Sequence, residues 1–214
     1  MKEPRTYKGQ PCPYKRMEFK KIIGLNRKLV KEWLLKRHYA HRLPSISFAF
    51  GLVDEREIIG VCTFGIPASP SLCRGICGEK YKSLVLEFNR LIIEEGSPHN
   101  SASYLIGNSI KLLPSPRILV SYADTGQGHI GYVYQATNWL YTGLTQERTD
   151  IFAGKSKHSR HYDKNGDYSK RQFRSAKHRY ILFHKCSKEI IAPCGIQYCL
   201  TLKVIVLDIR LMPK

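Results

Sequence analysis

The chain has 214 residues and a mass of 24.6 kDa, with 43% apolar, 11% aromatic and 24% charged side chains. That composition supports a packed core and excludes disorder for most of the length; at roughly 150 residues per domain it predicts one domain with extra segments. Thirty-five Lys and Arg against seventeen Asp and Glu give +18. No apolar run approaches the roughly 20 residues of a membrane span, and MKEPRTYKGQ lacks a leader's apolar core, so a soluble chain is expected.

Residues 1–16, with three prolines and five basic side chains, read as an extended basic arm. Phe19 to Ile23 predicts a short strand. Asn26 is a suitable N-cap for RKLVKEWLLKRHY, whose Leu29, Val30, Trp33 and Leu34 recur at helical spacing. Pro44 closes that region. SISFAFGLV (45–53) and EIIGVCTFGIP (57–67) flank the turn residues DERE and predict a hairpin. Residues 68–83 read as an irregular loop, long enough to suggest a functional role.

LVLEFNRLIIEE (84–95) predicts a central strand. Asn100 and Ser101 then cap a helix through ASYLIGNSIKLL, stopped by Pro114 and Pro116. RILVSYAD (117–124) is a buried strand by pattern. HIGYVYQATN predicts the next helix, WLYTGLTQ (139–146) a strand, and KHRYILFH (177–184) the last core strand. Residues 187–214 have no assigned place. Helices between strands predict an α/β three-layer sandwich around a central mixed sheet, with residues 150–177 inserted as a basic hairpin or loop turning at Asn165-Gly166.

The charge is unevenly placed. Residues 1–37 hold twelve basic and three acidic side chains, and residues 155–179 nine and two. Clustered charge beside a nearly neutral remainder fits a polyanion, with nucleic acid the best partner and anionic lipid disfavoured for want of an adjoining amphipathic helix. Lys155, Lys157, Arg160, Lys170, Arg171, Arg174, Lys177 and Arg179 are the phosphate-contacting candidates. They are interleaved with His158, His161, Tyr162, Tyr168 and Phe173, as groove or single-strand contacts require. Cys12, Cys62, Cys73, Cys77, Cys186, Cys194 and Cys199 are odd in number and scattered, which suits reduced thiols and a cytoplasmic setting.

VSYADTGQGHIGYVYQATNWLYTG (120–143) is the densest polar-aromatic stretch. Asp124 ends a predicted strand, where open α/β sheets place ligands, and Gly126, Gly128 and Gly131 permit tight turns. Tyr132 and Tyr141 read as packing residues.

This block, with His38-Tyr39, LEFNRLII (86–93) and KHRY (177–180), resembles the phage Mom DNA-modification proteins over roughly residues 25–184. The resemblance implies a GNAT-like acyltransferase fold and conversion of adenine N6 in double-stranded DNA to an acetamido (carbamoylmethyl) form. It also implies protection of that DNA from host restriction in the bacterial cytoplasm. Asp124, His38, Tyr39 and Tyr134 are the implied catalytic set. Arg90, Asn100, Ser101 and Ser103 are the implied cofactor contacts, for acyl-CoA or acetyl-CoA, and iron on His38, Tyr39 and Asp124 is a further implication. The acyltransferases' usual Gln/Arg-x-x-Gly-x-Gly/Ala loop is absent, since this segment reads SPHNSASYLIG. Several roles stay open: Asp124 as N6 proton acceptor or orienting group, His38 as base, ligand or helix-end cation, and Arg90 as anion contact or partner of Glu87. Tyr39, Tyr122 and Tyr134 are candidates to stack on a flipped adenine. Competing readings are an acyltransferase acting on another amine and a non-catalytic nucleic-acid binder.

Overall fold

The computed structural model describes residues 21–151 and 169–194, and the backbone of 6–7 and 10–11. In the arm, β1 (Thr6–Tyr7) and β2 (Gln10–Pro11) pair antiparallel. The body is a seven-stranded mixed sheet in the order β3 (Lys21–Gly24), β4 (Phe48–Asp54), β5 (Glu57–Gly65), β6 (Val85–Ile93), β7 (Arg117–Asp124), β11 (Lys177–His184), β8 (Leu140–Leu144). Every neighbouring pair is antiparallel except β6 and β7. A separate two-stranded ribbon joins β9 (Arg148–Ile151) to β10 (Arg171–Arg174).

Side chains alternate across the sheet, and each face buries its own helices. On one face, α3 (Ser101–Lys111) sets Leu105, Ile106 and Ile110 against Phe50, Leu52, Cys62, Phe64, Leu86 and Leu119, with Tyr134, Trp139 and Tyr180 closing the cluster. On the other, α1 (Arg27–Lys36) packs Val30, Trp33 and Leu34 on Val61 and Ile92. Beside it α2 (Pro70–Tyr81) packs Cys73, Ile76 and Cys77 on Val85, Ile118, Val120 and Ile181. The result is the three-layer sandwich that the sequence pattern indicated. Among the described residues no helix is long and apolar enough to cross a membrane.

Local chemistry sets the ends of these elements. The Asn26 side chain accepts from the Leu29 amide and starts α1. Glu55 and Arg56 both take positive φ in the two-residue turn between β4 and β5, the twist that hairpins favour. The segment expected as a loop over 68–83 is instead helical. Ser69 caps it, Pro70 supplies a pre-set first turn, and Gly78 at φ 75° breaks it. The helix expected over HIGYVYQATN shrinks to the single turn α4 (Tyr132–Gln135). The expected basic hairpin is present in its stem, β9 and β10, while Asn165-Gly166 lies outside the described residues. Beyond residue 186, α5 (Lys188–Ile191) and Cys194 pack on the α2 cluster.

Gly131 begins α4 at φ 82°, and a Cβ there would meet the Tyr180 ring. Tyr180 in turn donates to the Ile130 carbonyl at 2.6 Å. Gly128 has a similar φ of 67° but open space where its Cβ would stand. Gly131→Ala is therefore expected to lower unfolding free energy by about 3 kcal/mol, and Gly128→Ala by about 1 kcal/mol. Equal losses in urea titrations would contradict the steric account.

Candidate functional site

β6 and β7 run side by side only from Val85–Ile118 to Glu87–Val120. Beyond that point the ladder is replaced by a side chain, because the Ser121 hydroxyl donates to the Phe88 carbonyl at 2.8 Å. That leaves the Tyr134 hydroxyl to donate to Ser121 Oγ, also at 2.8 Å. One residue further, Asn89 is the extra residue of a bulge opposite Thr63–Phe64. Its amide group bonds Thr63 Oγ1 at 2.6 Å and the Ser45 carbonyl at 2.8 Å. A bulge bends and re-aims its strand, and here it lies where the two carboxyl ends separate.

The separation opens a cavity of about 2160 Å³, well above the roughly 300–1,000 Å³ of a small-molecule pocket. Its lining brings together His38 and Tyr39 from the segment after α1, Glu87 and Arg90 from β6, Asp124 from β7, and the ribbon residues Arg148, Asp150, Phe173 and Arg174. Five Arg and Lys (Arg42, Arg90, Arg148, Arg174, Lys177) face three carboxylates (Glu87, Asp124, Asp150) in that lining. The excess of positive charge suits an anionic ligand.

Asp124 is heavily engaged. Its Oδ1 accepts from the Gly126 amide at 3.0 Å and from the Ser175 hydroxyl, and its Oδ2 pairs with Lys177. Burial works against its charge, but the bonds from Lys177 and Ser175 outweigh it and hold the carboxyl below its usual range. His38 is the opposite case. Burial first, then the charge of Arg90, push its pKa down to about 4. Its Nδ1 accepts from the Ala40 amide at 3.0 Å, which leaves the proton of the neutral ring on Nε2. His38 is therefore not the helix-end cation considered from the sequence; α1 ends before it, at Lys36.

The His38 ring stacks on Tyr39 with centroids 4.4 Å apart, and Tyr39 meets the edge of His129 at 6.1 Å. Arg90 donates to its neighbour's carbonyl on Asn89 at 2.6 Å, and its buried Nε has no hydrogen-bond partner among the described residues. Among the described residues no ion pair with Glu87 forms. Arg42, unmarked in the sequence, has its pKa lowered by burial and then by Arg174. Glu87 is half-buried, and its desolvation raises its pKa against the pull of Arg90 and Arg42.

Other expected residues fall elsewhere. Tyr134 is enclosed by Phe88, Trp139 and Tyr180, so its ring is core and offers no open face for a base. Tyr132, expected to pack, is 66% exposed at the cavity mouth, whereas Tyr141 packs on Tyr180. Arg179 donates to Thr142 Oγ1 at 2.8 Å and to its carbonyl at 3.3 Å, which ties β11 to β8 rather than facing a ligand. Lys170 and Arg171 are exposed, Arg174 pairs with Asp150, and Lys155, Lys157 and Arg160 lie outside the described residues.

Asn100, Ser101 and Ser103 stand at the start of α3 and are not among the residues lining the cavity. Asn100 takes φ 67° and makes no side-chain cap; the Ser101 hydroxyl donates to Pro98 O and that of Ser103 to Asn100 O. These hydroxyls are spent locally, so the residues do not fit a cofactor held in one site with Asp124. Iron on His38, Tyr39 and Asp124 fits no better. The carboxylate oxygens are taken by Lys177, Ser175 and Gly126, and among the described residues no group of three or more His, Cys, Asp or Glu can hold a metal ion.

Residues 20–193 match the model of the Mom protein family. The chain is 28% identical over 142 residues to the methylcarbamoylase mom of Escherichia phage Mu; the match spans 64% of this chain and 58% of that relative. In fold it is similar to an N-acetyltransferase from Staphylococcus aureus Mu50, at 14% identity and a TM-score of 0.45 over 78% of this chain and 99% of that one. A Bacillus subtilis acetyltransferase in complex with CoA gives 14% and 0.43 over 77% and 98%. Arabidopsis thaliana Naa50 with a bisubstrate analogue gives 7% and 0.46 over 76% and 97%.

The neutral His38 has a consequence for stability. Between its ordinary value of 6.5 and about 4, the unfolded chain takes up a proton that the folded chain does not. Stability is thus full above the higher value and declines as pH falls through this window. His38→Asn keeps an acceptor for the Ala40 amide and removes the titration. Its unfolding free energy is expected to vary less with pH over that range than the wild type's; equal slopes would contradict the assignment.

Proposed function

The chain belongs to the Mom protein family, and from that premise we propose that it modifies DNA, placing an acetamido (carbamoylmethyl) group on adenine N6. The observation that carries this reading is the cavity between the parted strands, which gathers Asp124, His38, Tyr39 and Arg90 from three distant segments into one cation-rich space. Phosphate binding alone would not need a pinned carboxylate beside a neutral imidazole and an exposed aromatic.

Adenine N6 is a poor nucleophile because its lone pair is delocalised into the ring. The new bond to the donor's methylene carbon must form as an N6 proton passes to a base and as that carbon's bond to the donor's leaving group breaks, the electron pair departing with the leaving group. Asp124, kept ionised by Lys177 and Ser175, is a weak base and a good acceptor, so its role is to hold and orient N6–H. Glu87 has the complementary property. Burial raises its pKa, which suits the group that takes the proton. His38 donates from Nε2. The buried, unpartnered Nε of Arg90 and the neighbouring Arg42 bind an anionic group, of the DNA or of the donor.

Because N6 lies inside the paired stack, the adenine has to leave the duplex. The 52%-exposed Tyr39 ring, backed by His38, is the stacking surface for it. The positive lining and the basic residues of 155–174 grip the flanking phosphates.

The reading is tested by expressing the chain in bacteria, digesting total DNA to nucleosides and measuring them by mass spectrometry. An adenosine species heavier by the acetamido increment is expected. It should fall by at least about a hundredfold in Asp124→Asn and in Glu87→Gln while DNA retention persists. Unmodified DNA from cells holding folded protein would point to a different acceptor.

A further inference from the structure

We propose that Phe173 is the wedge that fills the base stack when the target nucleotide leaves the duplex; the inference rests on the DNA reading above. Of nine exposed large apolar side chains among the described residues, five (Tyr39, Leu43, Ile66, Tyr132 and Phe173) line this one cavity. Phe173 is 61% exposed and sits on β10, in the ribbon that stands apart from the main sheet. Among the described residues Phe173 belongs to no core cluster. A ribbon of this width enters a DNA groove.

Charge around Phe173 selects the partner. Arg171 precedes it by two residues and bonds Thr149, directly across the ribbon from Phe173. Arg174 follows it and pairs with Asp150, which also pairs with Arg148. An aromatic tip between arginines fits a polyanion with stacked rings better than an apolar protein surface.

The ribbon is also fixed relative to the reacting site. Ser175 and Lys177, the residues that continue β10 into β11, hold the Asp124 carboxylate. Between them, the Ala176 carbonyl accepts from Thr125 N at 3.2 Å and Thr125 Oγ1 at 2.7 Å. Phe173 therefore lies two residues from the first of these anchors. A side chain that enters the stack would act in register with the carboxylate that receives the extruded base. Unstacking is costly in a paired duplex and cheap at a mismatch, so a wedge matters most where pairing is intact.

The test compares Phe173→Ala, Phe173→Leu and Phe173→Trp with the wild type. Because the side chain is exposed, all should melt like the wild type. In expressing bacteria, modified adenosine should drop about tenfold or more for Ala and stay near wild type for Leu and Trp. By fluorescence anisotropy, purified Phe173→Ala should bind a fully paired duplex about tenfold more weakly. The loss should be under about threefold on the same duplex with a central mismatched adenine. Equal losses on both duplexes, or no loss on either, would overturn the wedge while leaving the DNA reading in place. Wild-type protein that binds neither duplex would overturn both.

Discussion

The end of hydrogen bonding between β6 and β7 is the constraint on which the site depends. Parallel strands in a closed sheet would bury every backbone group and leave no room for a ligand. Here the pairing stops after Glu87 and Val120, and Ser121 takes over the Phe88 carbonyl with its hydroxyl. The Tyr134 hydroxyl bonds Ser121 in turn, and Asn89 satisfies Thr63 and Ser45 in the bulge. The Phe88 carbonyl freed by the parting is thereby satisfied, which spares the opening the roughly 1–3 kcal/mol of one unpaired buried group.

Electrostatics inside the opening follow from what each charge finds there. Asp124 finds a cation and two further donors and stays ionised. Glu87, the last β6 residue paired with β7, forms no ion pair among the described residues, and burial raises its pKa against the pull of Arg90 and Arg42. Arg90 keeps a buried Nε without a hydrogen-bond partner among the described residues. Two carboxylates whose surroundings push their pKa values in opposite directions thus lie in one cleft with Arg90.

Much of the architecture was legible in the chain. Alternating apolar runs around DERE announced the β4–β5 hairpin, Asn26 announced α1, and RILVSYAD announced β7, because these signals depend on neighbours in sequence. α2 was hidden by Gly75 and Gly78 and by an apolar face of only Cys73, Ile76 and Cys77. At the site, Asp124, His38, Tyr39 and Arg90 were marked by their motifs. Arg42 and Glu87 were assigned no part in the site, since only the parting of β6 and β7 turns a loop arginine and a strand glutamate into one cavity. Tyr134 misled for the converse reason: a polar aromatic in a rich motif turned out to be packed among three rings.

The most direct measurement of the central claim is a crosslinking map of the complex. The purified full chain would be irradiated on a duplex carrying photoreactive thymines, digested, and its DNA-bearing peptides identified by mass spectrometry. Crosslinks are expected on the peptides carrying Tyr39, Tyr132 and Phe173, around the opening between β6 and β7. Crosslinks confined to the β3 edge of the sheet or to the outer face of α3 would contradict it.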